Sequence, residues 1–241
     1  MKLTYIILAV ILWNMPLFAK KDVNVLVFTK TNAYRHKNIE PGKKALKLMA
    51  QKEDWLIQFT EDSTQFTNKN LSKFNVVVFF NTSGNVLGES EQQAFKRFIQ
   101  KGGGFVGIHQ ATGTENEWPW FNKLTGAIFK NHPKVQEAEL HVHKETGFPA
   151  IMHLNEKWVR TDEWYNFTEE VDTSVVTILI DIDEDSYEGR KMGTYHPTTW
   201  YHYYDGGRAF YTALGHTDDS FSEAPFLLMI QKAIYWASDT K

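Results

Sequence analysis

The stretch Gly102-Gly103-Gly104-Phe105-Val106-Gly107-Ile108-His109-Gln110-Ala111-Thr112-Gly113 reads as a buried strand that stops at a histidine. Glycines close whatever precedes it, an apolar run follows, and small polar residues take over after the imidazole. Just upstream, SEQQAFKRFIQK (90–101) has the spacing of an amphipathic helix, with Ser90 as its cap and Phe95, Phe98 and Ile99 as its buried stripe. A helix feeding a strand that is apolar on both sides is the repeating unit of a parallel sheet covered on both faces.

Working outward, the same unit recurs. VNVLVF (23–28) is a short β-branched run, followed by a polar loop and a helix opening near Pro41 that carries Ala45, Leu46, Leu48 and Met49. WLIQF (55–59) and NVVVFFN (75–81) are further strands. The later half is less regular. KVQEAELHVH (134–143) alternates, which predicts an edge strand whose wet side carries Glu137, Glu139, His141 and His143. SVVTILIDI (174–182) is an apolar strand, and the acidic run IDIDEDSYEG (180–189) reads as a solvated turn. TTWYHYYDGGRAFYTAL (198–214) is a hairpin; placing Gly206 and Gly207 in its turn sets Asp205 opposite Arg208. EAPFLLMIQKAIYWA (223–237) closes the chain as a helix on the core. The fold class is therefore α/β, a mostly parallel sheet with an added hairpin, in one domain over residues 20–241.

Residues 1–19 are a different object. Lys2 precedes the apolar run LTYIILAVILW, and MPLFA ends in a small residue, the layout of a secretory signal peptide cleaved after Ala19. The expectation is a periplasmic or secreted protein, not an integral membrane protein. The chain has no cysteine, which removes disulfides, thiolate nucleophiles, Cys-ligated zinc and a lipidated Cys together. A formal charge of −3 gives no basic surface for nucleic acid. Gly102, Gly104 and Gly107 have G-x-G-x-x-G spacing but lead into a strand instead of opening a helix, and no Walker loop is present, so no nucleotide is expected.

Doubly wound sheets place their working loops at the carboxyl ends of the parallel strands. That rule puts Arg35 and His36, then Asn81, Thr82 and Ser83, then His109 along one rim. Gly107 and Gly113 flank His109 as glycines flank a nucleophile elbow, where an imidazole can serve as base, metal ligand or oxyanion donor. His132 before Pro133 and His216 after Gly215 gain interest if they converge with His109. RTDEWYNF (160–167) sets acids beside aromatic platforms, and the hairpin adds Trp200, His202 and Tyr204 on one face.

GGGFVGIHQATG, WPWFNKLTGAIFKNHP (118–133), RTDEWYNF and GRAFYTALGHT (207–217) together resemble the ThuA-like, trehalose-utilisation family. The resemblance implies a flavodoxin-like three-layer sandwich of the class I glutamine amidotransferase-like type, with His109 where amidotransferases carry their cysteine. Glutamine hydrolysis through a thioester is ruled out without that cysteine. The family motifs carry over onto His36, His109, His132, Glu163, His202 and His216. Phe148-Pro149 departs from the pattern, since relatives often have His-Pro there. The resemblance implies carbohydrate utilisation, of trehalose, another disaccharide or a keto sugar. The expected enzyme is a sugar-active hydrolase, lyase or isomerase; the alternative is a non-catalytic sugar-binding or accessory module. His109, Glu163 and His202 are the expected catalytic residues. His36, Arg35, Trp118, Tyr165 and Trp200 are expected to bind the carbohydrate. His109, His132 and His216 are the candidate ligands for a divalent metal such as zinc. Asp162 or Asp183 could serve as a second acid if glycoside hydrolysis used two carboxylates.

Overall fold

The computed structural model describes residues 23–239, so the leader expected at 1–19 lies outside the described residues. In chain order the regular elements begin with β1 (Asn24–Phe28), α1 (Ile39–Glu53), β2 (Leu56–Thr60), α2 (Asn68–Leu71), β3 (Val76–Phe80), α3 (Glu89–Gln100) and β4 (Gly104–Ile108). They continue with α4 (Pro119–Thr125), β5 (Phe129–Asn131), β6 (Gln136–Val142), β7 (Lys157–Asp162), β8 (Asn166–Phe167) and β9 (Thr177–Ile182). The hairpin β10 (Pro197–Tyr204) and β11 (Gly207–Thr212) precedes the closing helix α5 (Ala224–Ala237).

A nine-stranded sheet in the order β2-β1-β3-β4-β11-β10-β9-β6-β7 organises the molecule. The strands from β2 through β11 pair in parallel. From β11 onward every pairing is antiparallel. The alternating residues of β1 and β3 explain the two layers of helix. Val25, Val27, Val76 and Val78 face α1 and α5, while Leu26, Phe28, Val77 and Phe79 face α3 and α4. Burying both faces of such strands needs no polar residue in them, and none is present in β3. The mostly parallel α/β sheet read from the strand pattern, and the flavodoxin-like sandwich that the resemblance implies, are the observed architecture.

Several local expectations shift. α3 starts at Glu89 with Gly88 at the cap, so Ser90 lies inside the first turn. On α1 the buried set is Ile39, Gly42, Leu46, Met49 and Ala50, and Leu48 faces out. The hairpin turn is Asp205-Gly206, both with positive φ, as a two-residue type I′ turn requires. Gly207 therefore pairs with Tyr204, and Arg208 faces Tyr203 rather than Asp205. Arg208 pairs instead with Asp239 at 2.5 Å, and Asp205 accepts from Trp120 Nε1 at 2.8 Å. β6 does alternate, but it lies between β9 and β7 and is no edge. Its open face is laced by ion pairs: Asp181 joins His143 at 2.5 Å and His141 at 3.4 Å, and Lys157 meets Glu139 at 2.6 Å. The acidic run that follows is not a simple solvated turn, because Glu184 is buried.

Candidate functional site

Four loops meet at the carboxyl ends of the parallel strands. β4 ends in a sharp turn: His109 has φ 53°, a left-handed conformation that costs a non-glycine residue about 1–2 kcal/mol. The turn is held from below. Tyr211 donates its hydroxyl to the His109 carbonyl at 2.8 Å, and Gly107 leaves room for it: a Cβ there would meet Tyr211 at 3.0 Å. Asn81, at the end of β3, is also left-handed and accepts from the Gln110 amide at 3.3 Å. Asn81 Nδ2 donates to Asn38 at 2.7 Å, and Asn38 donates in turn to the carbonyls of Gly215 and His216, each at 2.6 Å. Asn38 stands at the N-cap of α1, but its side chain makes no capping bond; its amide ties the loops after β1, β3 and β11 together.

The loop after β7 is fixed by a buried carboxylate. Asp162 Oδ1 accepts from the amides of Glu163 and His216, both at 2.9 Å. Its Oδ2 accepts from Gly215 N at 2.8 Å and pairs with Arg160 at 3.2 Å. With both oxygens committed and no exposure, Asp162 is unavailable as a catalytic acid. Asp183 is committed to a turn, accepting from the Asp185 amide. The two-carboxylate arrangement is therefore corrected: Glu163 stands alone among imidazoles.

These anchors bring His36, His109 and His216 into a triangle, with ring centroids 4.9, 5.2 and 5.1 Å apart. Glu163 Oε2 lies 3.3 Å from His109 Nε2 and 3.2 Å from His216 Nδ1, and its Oε1 lies 3.0 Å from His132. Each of His36, His109, Glu163 and His216 offers one ligand atom, and these atoms all lie within 4.8 Å of one another. His109 Nδ1 donates to the Ala213 carbonyl at 2.7 Å, since a carbonyl only accepts. Nε2 is then the nitrogen turned to the cavity, oriented as backbone carbonyls orient metal-ligating imidazoles. Tyr165, buried, has its hydroxyl 2.7 Å from that Nε2 and also against Gln110 Oε1, so the two acceptors compete for its one proton. His36, Glu163 and His216 line an open cavity of about 320 Å³ together with Tyr34, Gln110 and Phe129, with His132 half exposed at its mouth and His109 fully buried beside it. A cavity of about 570 Å³ beside α4 is larger, but no histidine lines it.

Charge follows from this geometry. Burial would raise the Glu163 carboxyl, but hydrogen bonds and charge from His109 and His216 hold it well below the usual range. Burial would lower His216, but Glu163 outweighs it and raises the ring above its ordinary value. His36 is lowered to about 3, first by burial and then by His109 and His216, and its Nδ1 is buried without a partner. Burial, then Glu163, pushes the Tyr165 hydroxyl up, so it remains a donor.

Other expected residues lie elsewhere. β10 runs antiparallel to β11, so each residue after Thr199 steps away from the rim. Trp200 is fully buried and donates to the Thr125 carbonyl, and it offers no platform to a ligand. His202 is buried on the same face, away from the triangle. Neither of its ring nitrogens makes a well-formed hydrogen bond, although the Lys123 backbone lies close enough to act on it. Trp118 stacks on Trp120 and Phe121, and Arg35 turns outward to Glu61 at 2.8 Å. Asn81 stands on the rim as expected, whereas Tyr34, Gln110 and Asn38 are rim residues that sequence reasoning did not assign. Only their place just after predicted strands marked them.

His36 and His202 make the metal-free protein acid-labile. Burial lowers His202 to about 4, with no compensating charge. An unfolded imidazole takes its proton near 6.5, whereas these two resist it until about 3 and 4. Between those values the unfolded chain binds more protons, so stability falls as pH falls, by about 2–3 kcal/mol per ring at pH ~4. His216 works in the opposite sense: its contribution is complete below 6.5 and fades only as pH rises through its raised value. Denaturant unfolding of chelated protein between pH ~7 and ~4 should show this loss, and His202→Leu should flatten it. An unchanged slope in that variant would refute the assignment.

The fold and rim define a class: a flavodoxin-like α/β sandwich whose elbow after a central parallel strand carries histidine, with a histidine–carboxylate cluster above it. Within that class the trehalose-utilisation (ThuA) family model matches residues 24–237, and the chain belongs to that family. It is similar to a putative ThuA-like protein from Bacteroides uniformis, with 24% identity over 93% of this chain and 95% of that one, at a TM-score of 0.78. A putative ThuA-like protein from Parabacteroides merdae is similar at 19% identity, covering 91% of each chain, with a TM-score of 0.74. A β-galactosidase from Bacillus circulans sp. alkalophilus has the fold over 93% of this chain but 32% of its own, at 15% identity and a TM-score of 0.59. At these identities the structural likenesses establish the fold alone. No curated protein is similar enough to count as a relative. Among the described residues no helix is long and apolar enough to cross a membrane.

Proposed function

We propose that the protein is an exported carbohydrate-processing enzyme whose centre is His36, His109, Glu163 and His216 holding one divalent cation such as zinc. The observation that carries this reading is the convergence of three imidazoles and one carboxylate within 4.8 Å. The donor set fits: His36 keeps a buried nitrogen without a partner, and the Ala213 carbonyl leaves His109 Nε2 as the inward donor. Neutral imidazoles and a carboxylate suit zinc. When bound, such an ion supplies Lewis acidity toward a sugar carbonyl or a water. His132, half exposed at the mouth and 3.0 Å from Glu163, is placed to carry a proton to or from a sugar hydroxyl. The Ala213 carbonyl fixes His109 from behind, and the Tyr165 ring lies against it with its hydroxyl 2.7 Å from Nε2. The family supports a carbohydrate substrate, and the leader-like residues 1–19 support export.

A purely stacking sugar-binding module is less well supported, because Trp200 is buried and Trp118 packs on its neighbours. The test is elemental analysis of the mature protein beside His109→Ala. One retained ion per chain, absent from the variant, is expected, together with sugar turnover that the variant loses. Finding no ion in either protein would leave acid-base chemistry by Glu163 and His132 in its place.

A further inference from the structure

The loop between β9 and β10 carries a second buried histidine–carboxylate pair outside the rim. His196 is 1% exposed and Glu184 is 7% exposed. His196 Nε2 lies 2.7 Å from the Tyr165 carbonyl oxygen, which only accepts, so this nitrogen carries a proton. Its Nδ1 lies in hydrogen-bond contact with Glu184 Oε1, to which Tyr187 also donates, at 2.7 Å. Burial would raise the Glu184 carboxyl, but hydrogen bonds from His196 and Tyr187 lower it on balance, in keeping with an ionised partner. None of these groups touches the cavity. What they hold is the backbone of Tyr165, two residues from Glu163, whose hydroxyl meets His109 Nε2 at 2.7 Å. Asp162 anchors the near end of this segment through its bonds to the Glu163, Gly215 and His216 amides. The far end has a different anchor.

We infer that His196, oriented by Glu184, is a positioning residue: by fixing the Tyr165 carbonyl it sets where the Tyr165 hydroxyl and the Glu163 carboxylate meet the rim histidines. Partners that orient metal-binding side chains commonly govern affinity by about 10–100-fold. The inference rests on the reading of the rim as a metal centre, and a matched pair of variants separates the two. A glutamine amide nitrogen falls near where Nε2 stands, and an asparagine amide nitrogen near where Nδ1 stands. His196→Gln therefore keeps the donor to Tyr165 and gives up Glu184; His196→Asn does the reverse. Zinc affinity by chelator competition and the ¹⁵N resonance of His109 Nε2 are read in both, beside their unfolding midpoints.

His196→Gln is expected to bind zinc within about threefold of the parent, and His196→Asn to bind about tenfold or more weakly. The His109 Nε2 resonance should shift in the asparagine variant alone. Equal zinc affinity in the two variants, weakened or not, overturns positioning through Tyr165. If the parent binds no zinc, the metal reading fails, and the His109 resonance still decides. A shift in His196→Asn alone then supports the positioning role, and no shift overturns it. Should the asparagine variant not fold, loss of zinc affinity in a folded His196→Gln protein is the overturning result.

Discussion

Glutamine in place of Glu163 is expected to lower zinc affinity by at least the ~10–100-fold that loss of an outer-shell partner costs, because Glu163 is itself placed as a ligand. Glu163 is the single carboxylate in the group, and its oxygens face His109, His132 and His216 at 3.0–3.3 Å. The amide keeps the shape and removes the charge. His216 should respond first. Its raised affinity for a proton comes from Glu163 acting against burial, so without that charge burial prevails and the ring titrates lower. The metal-free proteins should differ in a second way. A carboxyl depressed below its unfolded value of 4.5 contributes stability that is present above that value and lost as acid protonates it. Glu163→Gln should therefore be the less stable protein at neutrality, and the difference should close in strong acid. Zinc competition, an NMR titration of His216 and unfolding at two pH values check all three. An unmoved His216 titration would remove Glu163 from the centre.

The other large effect is expected at Asp162, which touches no cavity. Asp162→Asn takes away one of two oxygens that together accept from the amides of Glu163, Gly215 and His216. It also leaves Arg160 facing an amide. Arg160 is buried between the rings of Trp158 and Phe226, 4.8 and 5.0 Å from their centroids, and among the described residues shares its charge only with Asp162 and Glu223. Removing one partner of a buried pair costs about 3–5 kcal/mol. Arg160→Met in the same chain removes the stranded cation and should restore part of the loss. Denaturant midpoints of the single and double variants measure this; a loss below about 1 kcal/mol would mean that solvent already reaches the pair.

The parallel half of the sheet could be read directly, because β1, β3 and β4 are apolar nearly throughout and each is followed by a loop of distinctive chemistry. Gly107, His109 and Gly113 announced an elbow before any coordinate did. The antiparallel half could be read only as strands. Period-two alternation says which residues share a face, not which way the strand runs, so Trp200 and His202 were expected at the rim and lie along the strand below it. The Arg208 register moved by one position because Asp205 accepts a positive φ and takes the turn position expected of Gly207. Asp162 looked like a second acid, since a sequence does not record how many backbone amides a carboxylate will meet. Glu184 and His196 stand twelve positions apart in a polar stretch, where nothing in composition announces burial.

The left-handed backbone at His109 has one more consequence. The bend is held by backbone-side partners, Tyr211 on its carbonyl and the room at Gly107, apart from the bond the imidazole makes to Ala213. The position thus behaves as a socket whose shape is independent of what is plugged into it. A lineage can exchange the chemistry of such a fold by altering one side chain and the loops that face it, while the scaffold beneath is inherited unchanged.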